Sequence, residues 1–79
     1  MDDAKEKISE ILRDLKPGID FDENTRFVED GLFDSFDIIS LVSELDAAFG
    51  ISIDGTKIAP EYFATLGDIE RLVRNSKKK

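Results

Sequence analysis

Between Ser35 and Phe49 the chain runs for fifteen residues without proline or glycine, and Gly50 follows. No other stretch limits the possible fold as much. Ile38, Leu41, Val42, Leu45, Ala48 and Phe49 share one face at about 100° per residue, the repeat of a helix with one buried side. Glycine stands where such a helix ends, since it enters the left-handed region that closes the last turn. The helix must bury its apolar face within a chain of 79 residues, which is enough for one small domain and not two. A domain of that size has a thin stability margin and must pack its apolar residues efficiently.

The neighbouring segments supply the partners. From Asp3 to Leu15, Ala4, Ile8, Ile11, Leu12 and Leu15 form one apolar stripe, and Lys16-Pro17-Gly18 stops the helix. Residues 19–34 read as a long loop, yet they hold Phe21, Phe27, Val28, Leu32 and Phe33. A connection this apolar is expected to be pinned on the core. Ile51 and Ile53 alternate with Ser52 as a short extended stretch, and Pro60 to Phe63 fits one helical turn with proline at its start. Thr65 and Asp68 fit a capping box for a last helix that buries Ile69, Leu72 and Val73. The expected fold is all-α: a small four-helix bundle of three main helices plus one short one, with a long loop between the first two. It is read as one domain over 1–79, a monomer, with 76–79 a flexible basic tail.

Composition removes several classes of function. With 41% hydrophobic and 37% charged residues the chain is globular rather than disordered. No apolar run approaches the roughly 18 to 20 residues of a membrane span. Met1-Asp2-Asp3 lacks the apolar segment of a secretory signal, so a cytoplasmic protein with no membrane insertion is expected. Cysteine and histidine are both absent. That excludes disulfides, thiolate metal sites, Ser–His triads and the usual zinc ligands, so no enzyme is expected. The net charge of −7 is uneven: residues 20–54 hold ten acids against Arg26 alone, a balance of −9, which leaves +2 elsewhere. A negative middle repels nucleic acid and attracts basic partners. The plainer alternative is a solvated acidic surface.

Three patterns are candidate sites. Asp20-Phe21-Asp22-Glu23-Asn24 places oxygens at calcium-loop positions, but Thr25 and Gly31 stand where that loop needs glycine and glutamate, so no dedicated metal site is read here. Lys77, Lys78 and Lys79 read as a solubilising end. Asp34-Ser35-Phe36-Asp37 opens the central helix. There Asp34 or Ser35 can be a plain N-cap. The same position also favours an attached phosphate, because free N–H groups and the helix dipole point at it. Phe36 and Ile39 lie on the wet side of the helix with Ser40 and Ser43. Either the preceding loop covers them or, as preferred here, they form a docking patch beside Ser35.

Taken together, the segment Thr25-Arg26-Phe27-Val28-Glu29-Asp30-Gly31-Leu32-Phe33-Asp34-Ser35-Phe36-Asp37, continued by Ile38 to Leu45, resembles the acyl carrier protein family. The likeness covers nearly the whole chain. It implies that a phosphopantetheinyl transferase, with magnesium, moves the 4'-phosphopantetheine arm of coenzyme A onto Ser35. It further implies that an acyl- or aminoacyl-activating ligase loads the arm's thiol as a thioester, for delivery to a downstream acyltransferase or synthase. Tethering raises the cargo's effective concentration at each partner. By position, Asp34 corresponds to the residue that orients the transferase and its metal. Phe36 and Ile39 correspond to apolar recognition positions, and Ser43 falls where many relatives carry a larger apolar residue. Asp37, Glu44 and Asp46 are expected to meet basic patches on partners, in weak and salt-sensitive contacts.

Fatty-acid carriers usually read Leu-Gly-x-Asp-Ser-Leu, whereas this chain reads Gly31-Leu32-Phe33-Asp34-Ser35-Phe36. Ser40 and Ala47 also stand where those carriers often have glutamate. The likeness is therefore nearer to discrete D-alanyl or peptidyl carriers than to carriers of fatty-acid or lipid biosynthesis. Five phenylalanines around the core (Phe21, Phe27, Phe33, Phe49, Phe63) are expected to leave little room for a long acyl chain. The alternative is a small acidic helical adaptor with no prosthetic group, in which Ser35 is only a cap.

Overall fold

A computed structural model describes residues 3–78; Met1, Asp2 and Lys79, the last belonging to the expected tail, lie outside the described residues. Three α-helices carry the fold: α1 (Asp3–Leu15), α2 (Ser35–Phe49) and α3 (Leu66–Asn75). Between α2 and α3 come β1 (Ile51–Ser52) and two 3₁₀ turns, Gly55–Lys57 and Pro60–Phe63. The short fourth helix expected at Pro60 is thus a single tight turn, held by the Tyr62 N–H donating to the Ala59 carbonyl at 3.0 Å. Four residues are too few to close a regular α-helical ladder. The turn at Gly55–Lys57 has no counterpart in the expected elements. It starts where the Asp54 carboxylate accepts the Thr56 N–H at 2.9 Å.

The basic end also differs from expectation. Lys77–Lys78 form β2, paired antiparallel with β1 so that Ile51 faces Lys78 and Ser52 faces Lys77. The hydropathy of three lysines gives no sign of this pairing, which is made by backbone groups alone.

The helices pack around one core. Ile8 and Leu12 enter from α1, Ile38, Leu41, Val42 and Leu45 from α2, and Leu66, Ile69, Leu72 and Val73 from α3. Phe27, Phe33, Ile51, Ile53 and Phe63 are buried from the connecting segments, and no polar side chain is buried among the described residues. α1 runs antiparallel to α2: the Lys7 ammonium donates to the Ala48 carbonyl at one end (3.1 Å), and Lys16 reaches Asp37 at the other. Among the described residues no helix is long and apolar enough to cross a membrane.

Residues 16–34 contain no regular helix or strand, but apolar side chains fix their path. Phe27 is fully buried, and its N–H donates to the Ala64 carbonyl at 2.8 Å. Its own carbonyl accepts from the N–H groups of Leu32 (2.8 Å) and Phe33 (3.0 Å). The Phe27 and Phe33 rings stack with centroids 4.7 Å apart, and Phe21 meets Phe27 edge-on at 5.7 Å. Offset contacts of this kind add to the area each ring buries. Gly31, at φ +73°, makes the left-handed turn that lets the chain fold back over Phe27 and deliver Asp34 to the start of α2.

Candidate functional site

The start of α2 is built by two carboxylates that bridge over the serine between them. Asp34 holds extended backbone angles (φ −107°, ψ −175°) and is the N-cap. Its Oδ1 accepts the Asp37 N–H at 2.9 Å, and Asp37 Oδ2 accepts the Asp34 N–H at 3.2 Å. This reciprocal box satisfies donors that a helix start otherwise leaves free. It also decides between the two candidate caps. Asp34 caps, and Ser35 is the first helical residue, with an exposed side chain.

Asp37 is held from outside the helix as well. Lys16, just past the end of α1, places its Nζ 2.8 Å from Asp37 Oδ2. That hydrogen bond, helped by the Asp34 N–H, keeps the Asp37 carboxyl below its ordinary value of 3.8. In return Asp37 raises Lys16 above 10.5. The Asp37 side chain is only 14% exposed. Its role in this fold is to fasten α1 to the serine end of α2.

Around Ser35 the surface is apolar. Phe36 is 75% and Ile39 61% exposed, so the preceding loop does not cover them. Ser35 opens on a shallow groove of about 100 Å³ lined by Ile38, Ile39, Ile58, Ala59 and Pro60. Ser43 and Ala47 are exposed further along the same side of α2, with Ser40 half-buried. Of the other expected recognition acids, Glu44 is exposed on the α1 side, beside Ile11, Asp14 and Leu15. Asp46 turns inward, its carboxylate accepting the Ile53 N–H at 3.1 Å. Of the three acids expected to meet partners, Glu44 is exposed, while Asp37 and Asp46 are each engaged by a donor outside α2, Lys16 and the Ile53 N–H.

Lys16 and Ile58 are the residues that the sequence did not single out. The run Ile58-Ala59-Pro60 was a usable signal for the second, since apolar residues before a short turn have no helix face to bury. No local signal marks Lys16. In the acidic loop, Asp22 closes a turn, accepting the Asn24 N–H at 2.8 Å, while its own N–H donates to Thr25 Oγ1 at 2.9 Å. Among the described residues no group of three or more acidic side chains is arranged to hold a metal ion.

Comparison with known proteins gives three results. A family described as "Phosphopantetheine attachment site" matches residues 2–73. An acyl carrier protein of Wolinella succinogenes is 37% identical over 76 residues, covering 96% of this chain and 95% of that protein. An acyl carrier protein of a Sulfurovum species is 36% identical over 74 residues, covering 94% and 93%. No solved structure matches the chain with comparable significance.

Proposed function

We propose a role that proceeds from one premise: this chain belongs to the phosphopantetheine attachment-site family, which it matches over residues 2–73. It is an acyl carrier, not a catalyst, and its prosthetic group is a covalently attached 4'-phosphopantetheine. Ser35 is the attachment point. What carries this assignment is one observation: an exposed serine begins α2, directly after the capping Asp34 and beside the exposed Phe36 and Ile39.

The residues present fit the group. The box carboxylates bond to backbone N–H groups and to each other's segment, which leaves the Ser35 hydroxyl outward and accessible. As the first two helical residues, Ser35 and Phe36 have N–H groups without an intrahelical acceptor, a favourable setting for a phosphodiester. When bound, the arm supplies the thiol that this cysteine-free chain lacks. Asp34 keeps the serine turn rigid and presents a carboxylate to the transferase. Phe36 and Ile39, joined by Ile58, form the apolar surface on which partners dock.

The finer reading is a single carrier domain over 1–79, with a basic segment at 76–79, acting in the cytoplasm. It works with a phosphopantetheinyl transferase, a dedicated aminoacyl- or acyl-activating ligase and a downstream acyltransferase. Its arrangement is the three-helix bundle with a short fourth turn and a long first connection. The order Gly31-Leu32-Phe33-Asp34-Ser35-Phe36 and the uncharged Ser40 and Ala47 support a D-alanyl- or peptidyl-carrier-like member.

The test is intact mass spectrometry after incubation with coenzyme A, magnesium and a broad-specificity transferase. The parent chain should gain one phosphopantetheine and Ser35→Ala none. A folded parent that gains nothing, with a control carrier modified in the same tube, removes Ser35 from this role.

A further inference from the structure

Ser35 stands between two carboxylates, and one lysine answers both. Lys16 Nζ lies 2.8 Å from Asp37 Oδ2 and is also attracted by the Asp34 carboxylate. The same oxygen, Asp37 Oδ2, accepts the Asp34 N–H at 3.2 Å. Cation, carboxylate and N-cap backbone thus form one chain of contacts that ends at the residue before Ser35. Its outer end is fixed. The Lys16 N–H donates to the Leu12 carbonyl at 2.9 Å, the Lys16 carbonyl accepts the Ile19 N–H at 3.5 Å, and Pro17 locks the next φ. The Lys16 side chain is 34% exposed and that of Asp37 14%, so solvent and salt screen the pair less than a fully exposed one. Without the cation, the box would hold two like charges in one turn, opposed only by the N–H groups and dipole of the helix start.

We propose that Lys16 is a positioning residue for Ser35: through Asp37 it holds the Asp34 N–H and the extended N-cap, and so presents the serine to the transferase in one backbone geometry. This rests on the carrier role of Ser35. Lys16 acts only through Asp37. The benefit is geometric, since a nucleophile already in register has less freedom to lose when it reacts. A pair that merely fastened α1 to α2 would change the melting of the fold and leave the modification rate alone. Phe36 and Ile39, the exposed apolar residues beside Ser35, lie outside this chain of contacts. Loss of Lys16 should therefore slow the step at the serine and spare docking.

The test measures mass gain of the full chain from coenzyme A, magnesium and a broad-specificity transferase. The carrier concentration is varied to separate kcat from KM, well below each variant's thermal midpoint. Lys16→Met should lower kcat about fivefold with KM unchanged. In the carrier alone, amide exchange at Asp34 and Asp37 should quicken. Lys16→Arg, which keeps the charge, should retain the parent's kcat and exchange. In an Asp37→Asn background, Lys16→Met should have no further effect on kcat, as for two residues acting through one contact. Lys16→Gln replaces the methionine variant if that one does not fold. An unchanged kcat in the neutral variant, an arginine variant equally slow, or a full effect retained in Asp37→Asn overturns the proposal and leaves the carrier role intact. A rise in KM alone makes Lys16 a direct contact of the transferase and overturns it too. A folded parent that gains no mass, beside a control carrier that does, overturns the carrier role and the proposal together.

Discussion

Lys16 Nζ and Asp37 Oδ2 lie 2.8 Å apart, joining the residue after α1 to the first turn of α2. The contact has a pH signature. Asp37 is lowered first by the Lys16 hydrogen bond; burial opposes this, and the Asp34 N–H lowers it further. A carboxyl whose folded value is depressed contributes stability that is present above the ordinary 3.8 and is lost as pH falls through the lower folded value. Asp54, lowered by the backbone N–H and then the hydroxyl of Thr56, acts in the same sense. Lys16 is raised, so its contribution persists through neutrality and is lost only as pH rises above 10.5. The thermal midpoint should therefore be level near neutrality and fall on acidification below 3.8. In Asp37→Asn that acid slope should be shallower, as read by circular dichroism melts across pH.

Asp34 and Ser35 are neighbours with separable roles. Asp34→Ala removes the cap and should cost about 1 kcal/mol, lowering the midpoint by roughly 4–8 °C in a domain of this size. Ser35→Ala breaks no capping bond and should stay within about 0.5 kcal/mol of the parent, while abolishing the mass gain. Paired melts and mass spectra distinguish the two.

Partner docking should depend on apolar contact more than on charge. Asp37 and Asp46 are engaged within the fold, and the side of α2 around Phe36 carries Ile39, Ser43 and Ala47. Phe36→Ala should lower kcat/KM of the transferase about tenfold, equivalent to ~1.4 kcal/mol, without lowering the midpoint. Asp46→Ala should instead lose the Ile53 hydrogen bond, at about 1 kcal/mol of stability, and leave transferase kinetics unchanged. Added salt should weaken docking only modestly.

The stacked phenylalanines are the point of greatest sensitivity in the connection before α2. Phe33→Ala should cost about 3–5 kcal/mol, a large part of the roughly 5–15 kcal/mol that holds a typical domain. Phe33→Leu should fold with a reduced urea midpoint. Equilibrium denaturation of the two variants measures how firmly that connection is fixed.

Much of this was readable along the chain. The bounds of α1 and α2 follow from apolar periodicity and from the stops at Lys16-Pro17-Gly18 and Gly50. The capping pair Thr65 and Asp68 marks the start of α3, where the Asp68 N–H donates to Thr65 Oγ1 at 3.2 Å. The exposure of Phe36 and Ile39 also follows from the helix repeat. What could not be read depends on partners distant in sequence. Nothing near Lys16 points to Asp37, and nothing near Lys77 points to Ser52. Nor does spacing tell which of two adjacent capping residues takes the extended backbone. That depends on the return bond, in which Asp37 Oδ2 accepts the Asp34 N–H.

The antiparallel course of α1 and α2 and the ribbon between Ser52 and Lys77 give the molecule two poles. Ser35 stands at one. The start of α1 and the strand Lys77–Lys78 gather at the other, one length of α2 away, which is ~22 Å for fifteen residues. A dye, an affinity handle or a solid support joined beyond residue 3 or residue 78 therefore hangs from the far side of the protein. Copies fixed to a bead by either route should hold their serines outward, where a soluble transferase can reach them as readily as in free solution.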